Sequence, residues 1–230
     1  MLAHGYHVQA QQWRDVVWGD PHDNHLGRVP RAVLTALEQP NPLLLFGTGA
    51  PAGDGVLESE LTLHFARDHR SDLYDLASEF LAISRERSRL LVDDLLDQRS
   101  LCERTSTTTR TEVAAALQTS LQHRAHRLTL VSSPTHIARC LQSALTLLAD
   151  TPGYRRLAGR VSAVASDTTV TGRGPGDVVI LEPQTRPQSG AVDFADVARA
   201  VLPLLGRPSA VGYVDEWSQL TQTWLARTRA

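Results

Sequence analysis

The sequence predicts an α/β protein: a three-layer, mostly parallel sheet of about five strands with a helical insert. Three observations lead there. Short apolar runs bounded by turn residues alternate with longer stretches of helical spacing, the pattern of βα units. The run Leu43-Leu44-Leu45-Phe46 is apolar throughout, as expected of a strand covered on both faces. Gly, Ser, Thr, His and carboxylate residues gather where strands give way to helices, the edge at which parallel sheets bind ligands.

Taken in order, residues 13–18 read as the first strand and 20–25 as a polar turn. Residues 27–38 have helical spacing at Val29, Ala32, Val33, Ala36 and Leu37, and Pro40 and Pro42 stop that helix. The second strand is 43–46, followed by a glycine-rich loop over 47–55. Residues 56 to 97 read as two or three helices with a break at 68–71. A short strand at 99–103 leads to a helix over 109–123, with Val113, Ala116, Leu117 and Leu121 on one face. A strand at 127–132, a helix at 135–149 and a strand at Val161–Ala165 follow. Residues 167–176 form a Thr/Gly-rich loop, 178–181 a candidate sixth strand, and 194–205 and 216–227 two closing helices. The expected organisation is one domain over 1–230, with its core at 13–182, its insert at 56–98 and its C-terminal helices at 191–228.

Composition narrows the function. With 230 residues and 42% hydrophobic content, a sizeable core is available. A net charge of −2 gives no general attraction to nucleic acid or to an anionic membrane, and 5% aromatics is little for base stacking. The first twenty residues lack a basic segment followed by an apolar one, and no apolar run approaches a membrane span. A cytoplasmic protein with a small-molecule ligand, no nucleic-acid partner and no membrane anchor is expected. Cys102 and Cys140 form no CxxC pair and read as small buried hydrophobes.

Five clusters carry candidate chemistry. Gly47-Thr48-Gly49 ends the second strand, where backbone amides can meet an anion. It fits neither the dinucleotide fingerprint nor the P-loop, and an ordinary turn explains it as well. Glu58 and Glu60 open the next helix and complement its dipole. Turned into the crevice, Glu58 could bind a hydroxyl or amine, or act as a base. Glu103, Ser106, Thr109 and Glu112 are spaced by three in a hydroxyl-rich loop suited to phosphate or ribose, with Ser106 or Thr107 as N-cap. A solvated turn is the plainer alternative. Ser132-Ser133-Pro134-Thr135-His136 ends another strand, with Ser133 as cap and Pro134 in the first turn. His136 there favours neutral imidazole, and Arg139 lies one turn on, so the two resemble an anion clamp unless His136 is a plain surface residue. The dense Asp20-Pro21-His22-Asp23-Asn24-His25 turn could hold a divalent metal, or simply supply an N-cap at Asp23 or Asn24. Neither HExxH nor GxSxG occurs.

In order and approximate spacing over residues 13 to 165, these motifs resemble the YdcF/SanA/ElyC-like family, domain of unknown function 218. Val16-Val17-Trp18-Gly19 stands at that family's first strand end, Phe46-Gly47-Thr48-Gly49 at its second, and Glu58 at its helix start. Glu103, Ser106 and Thr109 fit the third motif; Ser132, Ser133, His136 and Arg139 fit the fourth. Thr48 stands where the family has glycine, and Thr108 and Glu112 where it has asparagines, Glu112 adding negative charge beside the pocket. The resemblance implies a Rossmann-like fold and a phosphorylated or nucleotide-like ligand, S-adenosylmethionine included. It supplies no reaction.

The expectation is therefore an enzyme, of hydrolase or transferase type, acting on an anionic, phosphorylated or nucleotide-like metabolite. His136, Glu103 and Glu58 are the candidate catalytic residues. Gly19, Asp20, Gly47, Thr48, Gly49, Ser106, Thr109, Ser132, Ser133 and Arg139 are the candidate ligand-binding residues, with Arg139 and the 47–49 amides on the anion. The cofactor is open between S-adenosylmethionine, a divalent metal and none. The alternative is a non-catalytic nucleotide or S-adenosylmethionine binding module; a third reading is an adaptor using Trp217 and Trp224. The site residues should converge on one crevice, with the 20–25 turn as a wall and the helices of 58–99 covering the opening.

Overall fold

The computed structural model describes residues 1–10, 13–20 and 25–167. The closing helices, the sixth strand and the tryptophan pair expected within 168–230 lie outside the described residues, as do residues 21–24 of the polar turn. A five-stranded parallel sheet forms the middle layer. Its strands are β1 (Leu2–Ala3), β4 (Leu44–Phe46), β7 (Ser100–Cys102), β8 (Leu128–Ser132) and β9 (Val161–Ala165), in the spatial order β7-β4-β1-β8-β9. The chain thus builds outwards from β1 in one direction, then crosses back and builds outwards in the other. The reversal lies between β1 and β8, and a crevice outside the strands' carboxyl ends at that point is where such sheets take ligands.

Alternation along each strand feeds two cores. Ala3, Leu44, Phe46 and Val131 face one side, where they meet α1 (Trp13–Val17), α2 (Arg28–Leu37), α3 (Glu58–Asp68), α4 (Arg70–Phe80) and α5 (Arg85–Gln98). Leu2, Leu45, Leu128 and Leu130 face the other, against α6 (Thr109–Gln122) and α7 (Pro134–Asp150). A short 3-10 helix at Pro152–Leu157 adds Leu157 to that second core.

Four expectations need correcting. Residues 13–18 are not a strand. Trp13, Val16 and Val17 are spaced as on a helix, and Arg14 and Asp15 face out, so α1 forms and the first strand is the two-residue β1. The insert helices do not roof the opening. Leu73, Ala77, Leu95 and Leu96 are fully buried in the same core as Phe46, so α3–α5 are the layer itself. Helix α2 takes Gly27 as its N-cap rather than Asp23 or Asn24, and α6 takes Thr108, whose hydroxyl accepts from Thr111 N at 3.2 Å. The glycine-rich loop contains a hairpin, β5 (Pro51–Gly53) with β6 (Val56–Leu57), turning at Asp54 and Gly55, both at positive φ. Gly19–Asp20 (β2) and His25–Leu26 (β3) form a second small antiparallel pair.

Candidate functional site at the strand ends

The loop after β1 carries His4, Gly5, Tyr6 and His7, and it organises the site. His4 extends the ladder through its N–H to Val131 O at 2.9 Å. Its imidazole Nδ1 donates to Glu112 Oε2 at 2.9 Å, and Gly5 N donates to Glu112 Oε1 at 2.8 Å. Both partners of the ion pair are buried, His4 at 0% and Glu112 at 5% side-chain exposure. Glu112 reaches this place from the first turn of α6 because Gly47 leaves room: a Cβ on Gly47 would overlap its Oε1. Gly5 is held to glycine in the same way by the backbone of Gly47 and Thr48. Burial alone would pull His4 down, but attraction to Cys140 and Glu112 outweighs it and pushes the imidazole up to about 10. The pair is thus imidazolium and carboxylate. The negative charge expected from Glu112 is cancelled where it stands.

His136 lies edge-on to His4, ring centres 5.6 Å apart. Its Nδ1 is 2.8 Å from Ser132 Oγ and its Nε2 3.0 Å from Thr109 Oγ1. Burial, then the charges of Arg28, His4 and Arg139, hold it well below the ordinary histidine value. It is a neutral ring that donates to one hydroxyl and accepts from the other. Cys140 Sγ packs 3.4 Å from its Nδ1. Arg28, buried at the start of α2, donates to Gly5 O at 2.6 Å and to Ser133 Oγ at 2.8 Å, and its guanidinium lies over the Tyr6 ring. Ser133 is the N-cap of α7 with Pro134 in the first turn, but its hydroxyl serves Arg28 rather than the helix. Arg139 follows one turn after His136. Its buried Nε has no hydrogen-bond partner, and it makes no ion pair among the described residues.

Glu103 is enclosed by its own loop. Oε2 accepts from Gly49 N at 2.9 Å, Ser106 N at 2.8 Å and the Ser106 hydroxyl. Oε1 accepts from Thr105 N at 2.9 Å and Thr105 Oγ1 at 2.8 Å. Burial would raise this carboxyl; the hydrogen bonds from Ser106 and Thr105 overcome it and hold it below the ordinary value. Thr48 Oγ1 donates to Ser106 O at 2.7 Å. Gly47 N is spent on Ala3 O at 3.0 Å and Gly49 N on Glu103, so two of the three amides expected to hold an anion serve the fold instead.

Glu58, first residue of α3, turns inward. Oε1 accepts from His7 Nδ1 at 2.8 Å and Val8 N at 3.3 Å. Here the carboxylate is buried, at 3%, while His7 is 59% exposed. Ser59 Oγ ties this corner to Glu103 O at 2.6 Å, and Thr109 ties the next loop to His136. Neighbours of Glu58, Glu103 and His136 are thus tied together at the strand ends, while no hydrogen bond joins these three side chains to one another. Gly19 and Asp20 form β2 of the β2–β3 pair. Gly19 has φ +78, and a Cβ there would overlap His25 O. The hairpin joins the end of β9 through Leu26 N to Asp167 Oδ2 at 2.7 Å.

His4, Gly5, His7 and Arg28 carry much of this geometry and did not emerge from the sequence. The available signal was His4-Gly5-Tyr6-His7 directly after an apolar pair at the chain start. A cavity of about 590 Å³ opens at the other edge of the sheet, lined by Met1, Pro42, Leu43, His126 and Arg127 among others, and touches none of these residues. No group of three or more His, Cys, Asp or Glu side chains suited to a metal occurs among the described residues, and no helix among them is long and apolar enough to cross a membrane.

The fold defines a class: a doubly wound, Rossmann-like α/β protein with polar side chains gathered at the strand ends beside its topological switch point. No family model, no curated protein and no solved structure matches the chain.

Proposed function

We propose that the strand-end crevice binds a small anionic metabolite, phosphorylated or nucleotide-like, and that the protein acts on it as a hydrolase or transferase. The supporting observation is Arg139. A buried guanidinium N–H with no partner is costly, and an anion is the ligand that would satisfy it. It stands with Arg28 and the His4 imidazolium around His136, which burial, and then their charges, keep neutral. Positive charge at a switch-point crevice suits phosphate or carboxylate.

In this reading Arg139 takes the anion. His136 acts through the half-buried Thr109 hydroxyl, which it can polarise from within the protein. Glu103 is a positioning residue that clasps the loops after β4 and β7. Motif resemblance to the YdcF/SanA/ElyC-like family supports the ligand class, although Gly19, matched to that family's first strand end, lies in β2 and not at the end of a sheet strand.

Calorimetry with inorganic pyrophosphate and with ATP tests the reading. Arg139→Gln should weaken binding by about 10- to 100-fold, the range for a charge-assisted hydrogen bond, while the unfolding midpoint changes little. Equal affinity in the variant, or no binding to wild type, would sink it. A bound nucleotide recovered unchanged after long incubation would leave binding without chemistry.

A further inference from the structure

We infer that His7, oriented by Glu58, is the proton-transfer group of this site, exchanging protons between bulk water and a bound phosphate ester or anhydride. The inference rests on the ligand class proposed above.

Three histidines stand along the β1 and β8 ends, and their surroundings separate them. His4 is locked to Glu112 and fully buried. His136 has a hydroxyl on each ring nitrogen and is buried. Neither can pass a proton to water directly. His7 is 59% exposed, and no described residue engages its Nε2. Its Nδ1 faces a carboxylate, so Nδ1 carries the proton and Nε2 presents its lone pair.

The partner is the informative half. A carboxylate opening α3 would complement the helix dipole while pointing to solvent. Glu58 instead is turned inward, 3% exposed, and spends Oε1 on His7 and on the amide of the next residue, Val8. Burying a carboxylate costs free energy, and a freely rotating surface histidine has no need of one. A fixed imidazole does: the carboxylate sets the tautomer and stabilises the imidazolium formed when Nε2 accepts a proton. Two loops hold the pair in place. Gly5 packs its backbone on Gly47 and Thr48, and Glu58 N and Ser59 N bond Ala50 O and Thr48 O.

The step balances without a further reactant. Nε2 takes a proton from water as the water oxygen bonds to phosphorus. The phosphorus–oxygen bond to the leaving group breaks, and its oxygen recovers that proton from Nε2. Nδ1–H stays on Glu58 throughout.

The test uses the full chain against a panel of phosphate monoesters and nucleoside di- and triphosphates. Expected are turnover in wild type, a loss of about 10²- to 10⁴-fold in kcat for His7→Ala, unchanged pyrophosphate affinity, and partial recovery of His7→Ala by free imidazole. Glu58→Gln should lower kcat and flip His7 to the other tautomer in nitrogen-15 NMR. Full turnover in His7→Ala overturns the inference and leaves the functional reading standing. An Nε2-protonated His7 in wild type overturns it as well. Wild-type protein that binds pyrophosphate but turns over nothing in the panel removes the enzymatic reading and this inference with it.

Discussion

Two histidine–carboxylate pairs stand three residues apart on the loop after β1, at nearly the same hydrogen-bond length: 2.9 Å for His4–Glu112 and 2.8 Å for His7–Glu58. Their surroundings differ. In the first pair both groups are sealed, the histidine is pushed up to about 10, and the charges cancel in place. In the second only the carboxylate is sealed, and the imidazole faces water. The same contact can therefore be a structural clamp or a poised acid/base, depending on which partner the fold buries. Distance alone does not distinguish them; desolvation does.

The largest expected difference is in stability. Glu112→Ala strands a buried imidazolium and the Gly5 amide, and should cost about 3–5 kcal/mol in urea unfolding. Glu58→Ala removes a pair whose histidine is solvated, and should cost under about 1 kcal/mol through that pair. Equal losses would erase the contrast.

A smaller effect is expected in pH dependence. His4 is raised, so its stabilisation is complete below 6.5 and is lost as pH rises through about 10. His136 is lowered and Glu103 is lowered, so their contributions are present above 6.5 and 4.5 respectively and fade as pH falls below those values. Stability should therefore be greatest near pH 6.5, fall below it, and fall progressively above it until about pH 10, as read from the urea midpoint across pH. In Glu112→Ala the alkaline decline should move to lower pH.

Much of the fold was legible. Strands β4 and β8 are apolar runs with clear boundaries, and α2, α6 and α7 show helical spacing over several turns. Strand β1 was not legible because two residues, Leu2 and Ala3, cannot display a period. Val16-Val17-Trp18 then stood in for it, since six residues with apolar ends fit a strand as easily as a helical turn. That error hid His4 and His7. It also hid the role of Glu112, whose partner lies 108 positions earlier. Asp54-Gly55 is a hairpin signal inside the stretch that composition marks only as glycine-rich loop. Ser132, Ser133, His136 and Arg139 were readable because a cap, a proline and a helical turn place them locally.

The most direct measurement is a nitrogen-15 NMR titration of the histidine side chains from pH 5 to 11. The expected result is a His4 signal that stays protonated through neutrality and releases its proton near pH 10, with His136 neutral at pH 7. His4 titrating near 6.5 would contradict the division of this loop into a buried clamp and an exposed acid/base, and a charged His136 at neutral pH would contradict the positive surroundings assigned to it.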